Sequence, residues 1–404
     1  MKIAIVADDL TGALDAAVPF ADLGRDTRVG LDIEAASAMA SSDVPVVSVD
    51  ACTRHLPPSQ AAGLVRLAMQ RLLALDQRLD QRPDRRLDRR IPFKKIDSTL
   101  RGNVGAETLA ALAGSGRRCA ILSPAAPRLG RRLHRGRLIV NGEPVAGGDL
   151  VQALRVQLPD VPVQLLTPGE EVRSTGDPIR LFVADAQEET DLDRLVDLAL
   201  ARPDEILLVG SSGLAGALAR RGGLAGGGAG EGSCAAADVP SRFRRILFVV
   251  GSRNTRSIGQ LQALLGMDGV TDLSSSFDDN AGQPPSCGGG HMSRVGVIHA
   301  ASLEDASVPD SVRVAQRLAE VVGSVLSDDL VDDTAIVMTG GDTARSVLDH
   351  LGIQGLEVSR SLAPGVVLSK ADLGGRRLCL VTKAGGFGET DLFVRLAGEL
   401  LAEH

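Results

Sequence analysis

A chain of 404 residues with 44% hydrophobic content is long enough for two ordinary domains, each burying its own core. A net charge of −7 and only 2% aromatic residues, with no Trp and no Tyr, exclude a general nucleic-acid binder, which needs a basic face or stacking rings. No apolar run is long enough to span a membrane, and five scattered cysteines without metal spacing exclude a disulfide framework and a structural zinc site.

The chain opens on MKIAIVADD, which reads as a first β-strand rather than a cleavable signal and predicts a soluble, cytoplasmic protein. Short apolar runs recur at 2–8, 44–50, 118–125, 179–185 and 205–212, with the unbroken character of parallel strands buried on both faces. Helix-spaced stretches lie between them, such as GALDAAVPFADLG after the first run and LDRLVDLALAR after the fourth. The arginine-rich tract at 78–90 alternates with aspartate and reads as a solvated helix or loop. Residues 222–240 combine glycine, alanine and small polar residues without a periodic apolar face, as a linker does. The strand rhythm then restarts at 244–252, 295–300, 334–341 and 376–386, with PPSCGGGH at 284–291 as a loop. The predicted fold is therefore α/β with two domains, 1–225 and 240–404, each a mainly parallel sheet flanked by helices, joined by a linker at 226–239.

Chemistry gathers where these strands end. Asp8 and Asp9 close the first strand, on the rim where open sheets bind ligands. One carboxylate suffices for a helix cap; a second beside it adds repulsion that a cation, a metal or a hydroxyl-rich ligand must offset. Lys94 to Asn103 form the densest polar cluster, in which Lys95, Asp97, Ser98 and Arg101 suit a carboxylate and hydroxyls, Arg101 through two parallel hydrogen bonds. A strand end, a cap and an exposed helix start would explain Ser98 or Thr99, but not the three charges together. In the second domain, Gly340-Gly341-Asp342-Thr343 and Gly385-Gly386 each lie between a strand and a helix, and Gly251-Ser252-Arg253-Asn254 follows a third strand. Free backbone N–H groups at such turns suit phosphate. Neither GxxxxGK followed by Ser or Thr, nor GxGxxG, nor GxSxG occurs, so the common nucleotide loops and the hydrolase elbow are excluded. The histidines show no metal spacing.

Ordered blocks across nearly the whole chain resemble the four-carbon acid sugar kinases, the group that includes D-threonate, D-erythronate and 3-oxo-tetronate kinases. They are IVADDLTGALDAA at 4–17, KKIDSTLRGNVGAE at 94–107, SPAAPRLGRRLHRGRLIVNGEPV at 123–145, VADAQEETDLDRL at 183–195, LLVGSSGLAGALA at 207–219, GSRN at 251–254, TGGDTA at 339–344 and KAGGFGETDLF at 383–393. The resemblance implies an N-terminal domain that binds a small-molecule sugar acid and a C-terminal domain that binds ATP, with the γ-phosphoryl group passing to the terminal hydroxyl. It implies that Asp8, Asp9, Lys95, Asp97, Ser98 and Arg101 meet the acid. Ser252, the Gly340-Gly341-Asp342-Thr343 turn and the Gly385-Gly386 turn would meet ATP. Mg2+ is expected with ATP, although no motif identifies its ligands, and Asp8, Asp9 and Asp97 stand unranked as the base. The chain departs from the family after NGEPV, where Ala146-Gly147-Gly148-Asp149-Leu150 replaces an acidic stretch. Nucleic acid and membrane are not expected as partners, and a homo-oligomer is compatible with the reading. The alternatives are a non-catalytic sugar-acid sensor, or an aldolase or dehydrogenase for similar acids. Limited proteolysis is expected to cut within 222–240 before it cuts any strand; a first cut inside a glycine turn would misplace the boundary.

Overall fold

The computed structural model describes residues 1–41, 44–78, 89–167, 169–170, 172, 179–224, 243–274, 293–300, 311–326 and 333–401. The chain divides into two compact units, Met1–Ser233 and Cys234–His404. The expected linker at 226–239, most of the 78–90 tract and the 284–291 loop lie outside the described residues.

The first unit begins with β1 (Lys2–Ala7), α1 (Leu10–Ala21), β2 (Thr27–Gly30), α2 (Ile33–Ser41), β3 (Val46–Asp50), α3 (Pro58–Arg78), β4 (Arg90–Lys95), α4 (Val104–Ser115) and β5 (Cys119–Ser123). Three short strands follow, β6 (Arg131–His134), β7 (Arg137–Val140) and β8 (Glu143–Asp149), then α5 (Leu150–Gln157) and β9 (Val163–Leu166). The unit closes with β10 (Arg180–Ala184), α6 (Glu189–Leu200), β11 (Ile206–Gly210) and α7 (Ser212–Leu224).

Its main sheet has the order β2-β3-β1-β4-β11-β5-β10-β9, with every neighbouring pair parallel. Helices cover both faces of such a sheet, which is why the inner strands are apolar throughout. From β1 the chain goes first to β2 and β3 on one side and then to β4 on the other. The strand order thus reverses between β1 and β4, and the loops leaving these two strands diverge to open a crevice. Pro92 sits inside β4, where it cannot donate to the ladder, and so this central strand does not announce itself by periodicity.

Strands β6, β7 and β8 form a separate antiparallel sheet. Its turns, Arg135-Gly136 and Asn141-Gly142, have positive φ at both residues, the geometry that matches the twist of a tight hairpin. Asp185, at the end of β10, accepts from the N–H groups of Arg135 at 2.6 Å and Gly136 at 2.8 Å and fixes the hairpin to the main sheet. The segment that departs from the family pattern is the end of β8, and its Asp149 caps α5 by accepting from Gln152 N–H.

The second unit comprises β12 (Arg245–Val250), α8 (Thr255–Leu265), β13 (Val270–Asp272), β14 (Val295–His299), α9 (Ser311–Val325), β15 (Thr334–Thr339) and α10 (Gly341–His350). It ends with β16 (Gly355–Ala363), β17 (Val366–Leu373), β18 (Arg376–Lys383) and α11 (Leu392–Leu400). The sheet order is β13-β14-β12-β15-β18-β17-β16, parallel as far as β18 and antiparallel beyond. Here the order reverses between β12 and β15, which places a second crevice at their carboxyl ends. Phe248 of β12 packs against Phe393 of α11 at 5.3 Å between ring centroids, at the centre of the core. Among the described residues no helix is long and apolar enough to cross a membrane.

Lys94 and Glu107 join β4 to α4 through an ion pair of 2.8 Å, with side chains 0% and 2% exposed. Lys94→Met should cost about 3–5 kcal/mol, because it strands a buried carboxylate, whereas Lys94→Met with Glu107→Leu should recover most of that loss. Urea unfolding followed by circular dichroism checks this; equal losses in the single and double variants would deny the pair its role.

Candidate active site

The first crevice is built from the ends of three adjacent strands. Asp8 and Asp9 leave β1, Arg54 follows β3, and the segment from Lys95 to Arg101 leaves β4. Asp9 is the N-cap of α1: its Oδ1 accepts from Gly12 N–H and its Oδ2 from the Thr11 hydroxyl, each at 2.8 Å. One carboxylate does cap the helix, and Asp8 is left for another task. Asp8 is 3% exposed; its Oδ2 accepts from Arg54 Nε at 2.8 Å, while its Oδ1 is buried with no hydrogen-bond partner.

Arg54 organises the cluster. Besides Asp8 it donates through Nη1 to Asp9 at 2.5 Å, and its Nη2 lies 3.7 Å from Asp97 Oδ1. The backbone N–H groups of Thr53 and Arg54 also donate to the Asp8 carbonyl, and Asn103 donates to the carbonyls of Thr53 and Leu56, so the loop is tied on both sides. Sequence reasoning missed Arg54. The signal was available, since it lies just past the strand run at 44–50, on the same ligand-binding rim as Asp8.

Asp97 is saturated by its own chain. Arg101 donates to both its oxygens, at 2.7 and 3.0 Å, and Thr99 adds its N–H and its hydroxyl. The Arg101 fork expected for a ligand carboxylate is therefore turned onto Asp97, although its side chain is 66% exposed. Ser98 accepts from Arg131 Nη1 at 2.6 Å; Arg131 comes from β6 and was also missed, because no short motif links it to the crevice. Lys95 is buried and donates to the Ile96 carbonyl at 3.1 Å. At Gly102 φ is +83°, and a Cβ would come within 3.2 Å of Asp8 Oδ2, so both backbone and space demand glycine.

Charge balance sets the ionisation of the crevice. Burial alone would raise Asp8, but Lys94, Arg54 and Lys95 overrule it and hold its carboxyl below the usual range. Burial likewise opposes Asp97, where Arg101, Thr99 and Arg54 prevail and hold its carboxyl well below the usual range. Burial disfavours the charge on Arg54, yet Asp9, Asp8 and Asp97 push its pKa above the ordinary guanidinium value. Asp15 of α1 goes the other way: burial raises it against the attraction of Lys95 and a hydrogen bond from Ser212.

The second crevice is lined by backbone instead of charge. Ser252 and Asn254 follow β12, Gly340 to Thr343 follow β15, and Lys383 to Gly388 follow β18, so three neighbouring strand ends bring together every residue expected to meet ATP. Gly340 caps α10 at φ +99°, a conformation glycine alone adopts freely. A Cβ at Gly385 would collide with Ser252 Oγ, and one at Gly251 with Thr343 Oγ1, so the three loops interlock through missing side chains. Asn254 caps α8 by accepting from Arg256 N–H, and its own N–H donates to Ser252 Oγ. Asp342 lies exposed in the first turn of α10.

Comparison with known proteins identifies relatives along nearly the whole chain. The family model for a sugar-binding N-terminal domain matches residues 3–153, and that for a nucleotide-binding C-terminal domain matches residues 293–393. The D-threonate kinase of Cupriavidus necator is 33% identical, covering 96% of this chain and 95% of that protein. The D-threonate kinase of Bordetella bronchiseptica is 32% identical over 98% and 96%, and the 3-oxo-tetronate kinase of Pseudomonas fluorescens 28% over 98% and 96%. Haemophilus influenzae protein HI1011 shares the fold with a TM-score of 0.62 at 18% identity, covering 99% of this chain and 100% of that one. A Salmonella typhimurium LT2 crystal structure does so with a TM-score of 0.71 at 21% identity, covering 98% of each chain. The two matches fall one in each α/β unit. The chain belongs to the four-carbon acid sugar kinase family.

Arg54→Met should cost about 3 kcal/mol or more at neutral pH, since it leaves buried carboxylates without their shared cation. Because Asp8 and Asp97 are held below the ordinary carboxylate value of 3.8, their contribution is present above that value and is lost progressively as pH falls from it through their lower folded-state values. The wild-type unfolding midpoint should therefore be flat near neutrality and drop below about pH 4, with a shallower drop in Arg54→Met. An equally steep drop in both proteins would show that Arg54 does not set these ionisations.

Proposed function

We propose that the protein is an ATP-dependent kinase that phosphorylates the terminal hydroxyl of a four-carbon sugar acid of the threonate, erythronate or 3-oxo-tetronate type. The observation that carries this reading is Asp8 Oδ1. Among the described residues the buried carboxylate oxygens with no partner are Asp8 Oδ1 and Glu107 Oε1, and of the three acids gathered by Arg54, where Asp9 and Asp97 have both oxygens occupied, Asp8 alone has one open. A hydroxyl donating to it would be oriented by a fixed acceptor, which phosphoryl transfer needs more than it needs a strong base. Asp8 is therefore our choice among the three carboxylates left open by the sequence. Lys95, Ser98 and Arg101, with Arg131, line the same crevice and supply cations and a hydroxyl for the acid.

The nucleotide belongs in the second crevice, where the Gly340 and Gly385 turns and Ser252 offer N–H and hydroxyl donors to phosphate. Among the described residues no group of three or more His, Cys, Asp or Glu side chains is arranged to hold a metal. Mg2+ keeps most of its ligands as water and phosphate oxygens and takes one or two carboxylates from protein. Asp342 is the carboxylate that would hold it, and the ion would supply charge neutralisation on the β- and γ-phosphates. ATP as co-substrate places the reaction in the cytoplasm.

Incubation with Mg-ATP and a panel of four-carbon acids should yield ADP and a phosphorylated acid. Binding of an acid without turnover would favour a sensor instead. Asp8→Asn should lower kcat by about 10²–10⁴-fold with little change in KM for the acid. An unchanged kcat would remove Asp8 from the chemistry.

A further inference from the structure

Lys383, the last residue of β18, has a side chain that is 0% exposed and has no carboxylate within ion-pair distance among the described residues. Its Nζ donates to three oxygens: Ser257 Oγ at 3.2 Å, the Ala384 carbonyl at 3.2 Å and the Gly385 carbonyl at 3.1 Å. Ser257 donates in turn to the same Gly385 carbonyl at 2.8 Å. With the Ser257 proton so committed, all three contacts of the amine require an N–H, which is the pattern of the ammonium form. The Phe393 ring lies 5.7 Å away and closes the space behind it.

The geometry of the peptide bond gives this arrangement a direction. In a trans peptide the C=O of one residue and the N–H of the next point opposite ways. With the Ala384 and Gly385 carbonyls drawn inward to Lys383, the N–H groups of Gly385 and Gly386 face outward, and neither donates to any other described group. The backbone of Lys383 steadies the neighbouring turn as well, because its carbonyl accepts from Gly340 N–H at 3.1 Å.

We infer that Lys383 is a positioning residue for the nucleotide's phosphates, holding two consecutive carbonyls inward so that two consecutive N–H groups face the anion. The inference rests on the assignment of ATP to this crevice. Burial, followed by the charge of Arg256, lowers the Lys383 pKa to about 8 in the free protein. Among the groups that face it, Arg256 and Ser257 come from α8, Thr339 from β15, Val366 from β17 and Phe393 from α11; Arg256 is the only charged one. A phosphate on the far side of the two peptides supplies the counter-charge that the described residues do not.

Titration calorimetry with ADP tests this on the full chain. Lys383→Met, which keeps the length but removes every donor, should weaken ADP at least about tenfold at neutral pH with its unfolding midpoint retained. Wild-type affinity should fall as pH rises through about 8, while that of Lys383→Met stays flat, a contrast that a merely structural lysine would not produce. Ser257→Ala, a smaller change, should show a weaker loss in the same direction, and it carries the comparison if Lys383→Met does not fold. Wild-type ADP affinity in the variants, or a wild-type profile with no fall above that pH, overturns the inference alone. Failure of the wild type to bind ADP overturns the nucleotide assignment together with it.

Discussion

A single guanidinium shared by three carboxylates is the interaction on which the first crevice depends. Asp8, Asp9 and Asp97 come from two strand ends that the reversal of sheet order places side by side, and without Arg54 their mutual repulsion would splay the loops apart. Arg54 is brought in from a third strand, and its own backbone donates to Asp8. Arg54 helps to hold Asp8 and Asp97 charged and is itself held charged by the carboxylates around it, although all three side chains are mostly buried. Among the carboxylates that Arg54 gathers, the oxygens of Asp9 and Asp97 are satisfied internally, and Asp8 Oδ1, buried and without a partner, stands out as the acceptor left for a ligand.

The second crevice solves a different problem with the same topology. Phosphate already carries charge, so the protein needs donors and close approach more than carboxylates. Glycines at 251, 340 and 385 remove the side chains that would hold the loops apart, and a buried lysine behind the last turn adds positive charge without occupying the surface. The contrast between the units, ion pairs in one and backbone in the other, suits the ligands proposed for each.

Much of this was legible in the sequence, and what was not has physical reasons. The parallel core strands are apolar on both faces, so runs such as KIAIVAD and TAIVMTGG mark both strands and rims. The polar clusters at strand ends therefore lie together at the carboxyl ends of the two sheets. β4 stayed hidden because Pro92 and its lysines break the apolar run, although it is central. The hairpin sheet was missed despite Asn141-Gly142, a strong local turn signal, because its strands, RRLH, RLIV and EPVAGGD, are short and carry charges, proline and glycine in place of an apolar run. Arg54 and Arg131 reach the site through folding alone, over long separations in the chain, and a local motif cannot show that. Arg101 shows the converse limit: residue type and spacing suggested a ligand grip, while its nearest carboxylate was four residues away in the same loop.

The central claim is that acid and nucleotide are held by separate crevices, each at the reversal point of its own sheet. Hydrogen exchange measured by mass spectrometry on the wild-type chain, with ADP and separately with the acid that is turned over, tests it most directly. ADP should protect peptides spanning 251–256, 339–344 and 383–388, and the acid should protect those spanning 8–12, 53–55 and 95–103. Protection of the first set by the acid alone, or of the second by ADP alone, would contradict the account.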